Sequence, residues 1–138
     1  MKKHFNIIIA GAGGIAEAVS LILAEWSDVT PTLFIGDRTF LKAKKVANWV
    51  EEGTTKPCAV KAFDLSETGI TDEMKDIFLQ GDIILDCLPG SVAPRIAQFA
   101  KDFNLHYANL TEYVAETEEI IALSKNTDTG KLCPHARI

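Results

Sequence analysis

The sequence predicts an α/β domain built on a doubly wound parallel sheet. Three observations point to it. Short runs of β-branched and aromatic residues alternate with longer segments of helical period. The first run, Phe5 to Ala10, is almost continuously apolar, as a parallel strand covered on both faces must be. The 138 residues, 47% hydrophobic and 24% charged, suffice for one domain. At this length roughly 68% of the unfolded surface can be buried.

The elements follow in order. From Gly14 the period changes, and Ile15, Val19, Ile22 and Trp26 fall at i, i+4, i+7 and i+11, the stripe expected on the buried side of an amphipathic helix. Pro31 separates this helix from a second strand, Thr32 to Ile35. A second helix is expected from about Thr39 to Glu52, burying Phe40, Ala43, Val46, Ala47 and Val50, with Gly53 placed to end it. Cys58 to Phe63 reads as a third strand, and Asp72 to Leu79 as a short helix capped by Thr71. Ile83 to Leu85 follows as a buried strand. Ser91 is expected to cap the next helix, whose stripe is Val92, Ile96, Phe99, Ala100 and Phe103. Pro94 is acceptable in its first turn, where the amides have no intrahelical acceptor. Leu105 to Leu110 is a fifth strand and Val114 to Leu123 a final helix. Residues 1–125 thus form one domain. Residues 126–138 show neither period and read as an irregular tail or the trace of a truncation.

The chemistry is concentrated in one motif. Gly11-Ala12-Gly13-Gly14-Ile15-Ala16 matches G-x-G-x-x-[GA], directly after a buried strand and at the start of a helix. This is the phosphate-binding fingerprint of the Rossmann dinucleotide fold. Gly11 permits the tight turn, Gly13 lets the backbone approach a pyrophosphate, and Ala16 lets the helix pack closely on the strand. A pyrophosphate there lies over the free amides of a helix N-terminus. Asp37 stands 26 residues after Gly11, at the end of the second strand, where a carboxylate can accept both ribose hydroxyls. Aspartate after a strand is also an ordinary turn residue. Arg38, Lys42, Lys44 and Lys45 follow, either to meet a 2′-phosphate or as a solvated basic face. Asp64 and Leu65 after the third strand, and the Leu88-Pro89 turn after the fourth, occupy the strand ends beyond which such sheets bind ligands. Both also suit plain turns.

Other classes of function are disfavoured. Net charge is −5 with no basic stripe, which argues against nucleic acid or an anionic membrane surface. No apolar run reaches the roughly 18 residues of a membrane span. The basic start at Lys2-Lys3 leads into too short an apolar run for a signal peptide. Cys58, Cys87 and Cys133 are odd in number and scattered, so a reducing cytoplasm is the expected location and a disulfide framework is not. His4, His106 and the Cys133-Pro134-His135 segment do not make a metal site. No catalytic residue is assigned. Tyr107 and Tyr113 lack the lysine four residues on that short-chain dehydrogenases pair with tyrosine.

The series as a whole resembles the N-terminal NAD(P)-binding domain of the saccharopine dehydrogenase family. The resemblance rests on Ile-Ala-Gly-Ala-Gly-Gly-Ile (9–15), Gly-Asp-Arg (36–38), Phe-Asp-Leu (63–65), Asp-Ile-Ile-Leu-Asp-Cys-Leu-Pro (82–89) and His-Tyr-Ala-Asn-Leu-Thr-Glu-Tyr (106–113). It covers roughly residues 5 to 125. It implies an oxidoreductase that joins or splits an amino acid and a keto acid through a secondary amine, with NAD, or else NADP, as cofactor. It also implies that Gly11, Gly13, Gly14 and Ile15 meet the pyrophosphate, and Asp37 and Arg38 the adenosine ribose. Asp64, Leu65, Leu88 and Pro89 would surround the rest of the cofactor. The family continues into a large substrate and dimerisation domain that this chain lacks. The chain alone is therefore expected to bind cofactor without turnover, and homo-oligomerisation is compatible with it. The rival expectation is a nucleotide-sensing regulatory module of the kind found in potassium transport, which shares the glycine motif and the acid after the second strand.

Overall fold

A computed structural model describes residues 3–110 and 114–125. Five strands form one parallel sheet: β1 (His4–Ala10), β2 (Thr30–Asp37), β3 (Ala59–Asp64), β4 (Ile83–Asp86) and β5 (His106–Asn109). Their spatial order is β3-β2-β1-β4-β5, so the chain winds outward from β1 to one side and then returns to build the other. This is the doubly wound order of the dinucleotide fold, and its switch point lies between β1 and β4. The helices α1 (Gly14–Trp26), α2 (Phe40–Gly53), α3 (Asp72–Gln80), α4 (Ala93–Asp102) and α5 (Val114–Lys125) supply the connections and cover both faces.

The two-residue alternation of the strands sorts their side chains into two layers. Ile7 and Ile9 of β1, with Leu33 and Ile35 of β2, pack against Ala16 and Ala24 of α1 and Ala43, Val46 and Val50 of α2. Ile8 and Ala10, with Phe34, Phe63, Ile84 and Tyr107, face the other layer, where Met74, Phe78, Ile96 and Ile120 come from α3, α4 and α5. An apolar run on both faces of β1 is thus what the middle strand of such a sheet requires.

Most expected elements are present within one or two residues, and five local readings are corrected, two of them briefly: Pro31 lies inside β2 opposite Phe5, and Val92 is exposed. On α1 most of the expected inward stripe faces outward: Ile15, Ile22 and Trp26 are 55%, 54% and 67% exposed, and only Val19 is half-buried against the core. The buried line is Ala16, Ser20 and Ala24, because only small side chains let this helix lie close on the sheet. Phe40 likewise stays exposed at the start of α2, while Ala43, Val46, Ala47 and Val50 are buried as expected. Ser91 does not cap α4. It sits in a short 3-10 turn, Gly90–Val92, and α4 follows Val92 without a side-chain cap, with Pro94 in its first turn. Thr71 does cap α3, its hydroxyl accepting from the Met74 amide at 3.1 Å. The segment 126–138, expected to be irregular, lies outside the described residues, as do Cys133, His135 and Tyr113.

Candidate functional site

The C-terminal ends of the strands bring the predicted residues to one edge. Register aligns Ala10 with Gly36 on one side and Asp86 on the other, Asp37 with Asp64, and Asp86 with Asn109. Gly11 leaves β1 at φ +111°, a conformation L side chains rarely adopt, and its amide donates to the Gly36 carbonyl at 2.7 Å. A Cβ on Gly11 would stand 3.2 Å from the Cys87 backbone and from Cδ2 of Leu88. The first turn therefore lies directly against the loop after β4.

Gly13 is different in kind. It is the N-cap of α1 in extended backbone (φ −89°, ψ −170°), a conformation open to any residue, and a Cβ built there or on Gly14 meets nothing within 4 Å. The protein itself does not need glycine at these two positions. Among the described residues no side chain caps α1, so its first-turn amides keep no capping acceptor and the positive end of its dipole lies beside the switch point. Donor set, helix polarity and clearance fit a pyrophosphate. Ile15 stands at the rim, half exposed.

Asp37 ends β2 at 8% exposure, and its Oδ2 accepts the Thr39 amide at 2.9 Å. One oxygen thus fixes the turn into α2, and among the described residues Oδ1 takes no hydrogen bond. Arg38 is held by Glu67, its Nη1 3.0 Å from Oε1, and this bond together with the Glu67 charge raises the guanidinium above its ordinary pKa. Asp64 is exposed and its amide donates to Glu73 Oε1 at 3.2 Å. Leu65 is a core side chain at 5% exposure, so what it presents to a ligand is backbone; its amide is already given to the Asp37 carbonyl at 3.0 Å. Leu88 is half-buried beside Gly11, and Pro89 is exposed.

Sequence reasoning missed a buried polar trio beneath that loop. Asp86 is 3% exposed; its Oδ1 accepts the Leu88 amide at 3.0 Å and its Oδ2 accepts the Tyr107 hydroxyl at 2.7 Å. Asn109 Nδ2 donates to the same hydroxyl at 3.0 Å. Burial pushes the Asp86 carboxyl up to about 6, against the lowering effect of the Tyr107 and Leu88 hydrogen bonds. Burial, then the Asp86 charge, pushes the Tyr107 hydroxyl well above its ordinary range. Only the register of β4 against β5 joins these residues, and no motif spacing announces it.

The sign of the Asp86 effect gives a prediction. Its folded pKa of about 6 lies above the ordinary 3.8, so the fold favours the protonated acid. That contribution is complete below pH 3.8 and is lost as pH rises through 6, at a cost of about 3 kcal/mol near neutrality. Denaturant unfolding of wild type and Asp86→Asn should therefore diverge between pH 4 and 7, the asparagine variant gaining by up to that amount. Parallel curves would contradict the assignment.

Among the described residues no three His, Cys, Asp or Glu side chains come together as a metal site, and no helix is long and apolar enough to cross a membrane. His106 is exposed at the start of β5, and His4 bonds Thr32 Oγ1 at 2.9 Å.

A family model described as the saccharopine dehydrogenase NADP binding domain matches residues 7–133. The chain belongs to that family. No curated protein matches the chain. Among solved structures, saccharopine dehydrogenase (L-Glu forming) from Saccharomyces cerevisiae has a TM-score of 0.67 at 19% identity, over 87% of this chain and 24% of that one. Shikimate dehydrogenase from Mycobacterium tuberculosis has 0.65 at 13% identity, over 88% and 44%. Levoglucosan dehydrogenase in complex with NADH has 0.64 at 15%, over 90% and 33%. These likenesses establish the fold. This family member spans less than half the length of each of the three.

Proposed function

We propose that the chain is the cofactor-holding part of an oxidoreductase that takes NAD(H) in preference to NADP(H). Its reaction would be the making or breaking of a secondary amine between an amino acid and a keto acid, with the substrate pocket contributed by residues outside this chain. The observation that carries the dinucleotide reading is the open, uncapped start of α1 at Gly13 and Gly14, where clearance serves no packing need. When bound, the nicotinamide supplies the hydride chemistry. What these residues do is bind and orient: the α1 amides hold the pyrophosphate, Asp37 Oδ1 accepts from the adenosine ribose, and Leu88 and Pro89 wall the far side of the switch point.

The NAD(H) preference follows from magnitudes. A carboxylate facing a phosphate at about 4 Å costs roughly 4 kcal/mol at an effective dielectric near 20. An exposed arginine returns ~1 kcal/mol or less. Asp37 is nearly buried at the site, while Arg38 is 71% exposed and engaged elsewhere. Calorimetric titration of the purified chain should give NADH at least tenfold tighter than NADPH, and Asp37→Ala should narrow or reverse that ratio. NADPH as the tighter ligand of wild type would refute the preference. Absence of binding by both would refute the cofactor role.

A further inference from the structure

The loop between β3 and α3 is built more firmly than a connection needs to be. Its first amide, Leu65, is tied to the Asp37 carbonyl at 3.0 Å. Ser66 Oγ donates to the Thr68 carbonyl at 2.7 Å and accepts the Thr68 amide at 3.2 Å. From α4, Arg95 Nη2 donates to the carbonyls of Ser66 at 2.7 Å and Gly69 at 2.8 Å, which bracket Glu67 in sequence. The Arg95 guanidinium lies over the Phe99 ring, 4.8 Å from its centroid, and so is itself held in place. Glu67 is thereby presented from a fixed backbone, and its carboxylate meets Arg38 Nη1 at 3.0 Å.

Arg38 is the cation adjacent to Asp37, the residue placed to contact the adenosine ribose. Its Nη1 is already given to Glu67, so a 2′-phosphate would have to compete with that carboxylate for the guanidinium. We infer that Glu67 is a cofactor-specificity residue, which withholds Arg38 from the adenosine 2′ position and so disfavours a 2′-phosphorylated dinucleotide. The inference rests on the dinucleotide reading above and adds to it a residue that never touches the ligand. The charge of Glu67 acts by competition, because a phosphate and a carboxylate seek the same planar fork of donors. An exposed pair of this kind is weak and screened by salt, so the withholding is a bias and not a block.

The test is titration of the 138-residue chain with NADH and NADPH at low and high salt, for wild type, Glu67→Ala and Glu67→Gln. Glu67→Ala should tighten NADPH by about three- to fivefold, the upper figure corresponding to ~1 kcal/mol, and leave NADH within about twofold. Glu67→Gln should give most of the same gain, since it keeps the side chain's size and removes its charge. The gain should vanish in the Arg38→Ala/Glu67→Ala double variant and shrink at high salt. An unchanged NADPH-to-NADH ratio in both single variants, with wild type binding either nucleotide, overturns this inference and leaves the cofactor role standing. So does a gain that persists without Arg38. If wild type binds neither nucleotide, the cofactor role fails and the inference fails with it.

Discussion

Gly13→Val is expected to lose at least tenfold in dinucleotide affinity, about 1.4 kcal/mol, while the chain still folds. The separation of the two effects is what makes the variant informative. A Cβ on Gly13 meets nothing within 4 Å and the backbone there is extended, so valine neither clashes nor strains. Valine is a poorer N-cap than glycine, which should cost α1 no more than about 1 kcal/mol. The added methyl groups instead fill the space over the helix start that a pyrophosphate would take. Circular dichroism and thermal unfolding check the fold, and calorimetry checks affinity. Unaltered binding in a folded variant would place the ligand elsewhere.

Gly36→Ala should do the reverse and damage the fold itself. A Cβ at Gly36 would lie 2.3 Å from Cζ of Phe63 and 2.6 Å from both Cε atoms. Phe63 is 1% exposed in the packed layer beneath α3, so its ring has nowhere to go. Overpacking of this kind costs about 3 kcal/mol, a fall of roughly 10 °C in Tm for a domain of this size. Phe63→Leu in the same chain removes the ring tip and should recover part of the loss. If Gly36→Ala melts with wild type, the two strands are not packed as described.

How much of this was legible in advance depended on the range of the interactions concerned. The glycine turn, Asp37 and the strand–helix alternation are local patterns, and the structure sets them at the same edge of one sheet. Thr71 capping α3 is local too, and was equally readable. The α1 stripe failed because periodicity gives a helix its faces but does not say which one meets the sheet. There the tie was broken by size, Ala16, Ser20 and Ala24 permitting a close approach that Ile15, Ile22 and Trp26 forbid. Ser91 failed for a related reason, since the backbone makes a 3-10 turn before the helix begins. Leu65 reads as a strand-end residue, but its side chain is committed to the core. The Asp86–Tyr107 bond and the Arg38–Glu67 pair join residues 21 and 29 apart in the chain, through contacts that exist only once the sheet is assembled.

The order of the strands has a consequence for how the chain acquires its site. β1 is made first, yet one of its two neighbours is β4, and the Asn6 amide waits for Asp82, 76 residues later. The Cys87 amide closes on the Ala10 carbonyl at 2.8 Å, which is what brings the β4 loop against Gly11. During synthesis, β1, β2 and β3 with α1 and α2 can pair while the β4 edge of β1 is still bare. Contacts of such long sequence separation are slow to form, because the entropy of closing the loop is lost before the pairing compensates it. A ribosome that has released only the first half of the chain therefore holds a glycine turn with one wall. The second wall arrives with Ile83 to Leu88, and until then the emerging polypeptide has a glycine turn with no β4 loop against it.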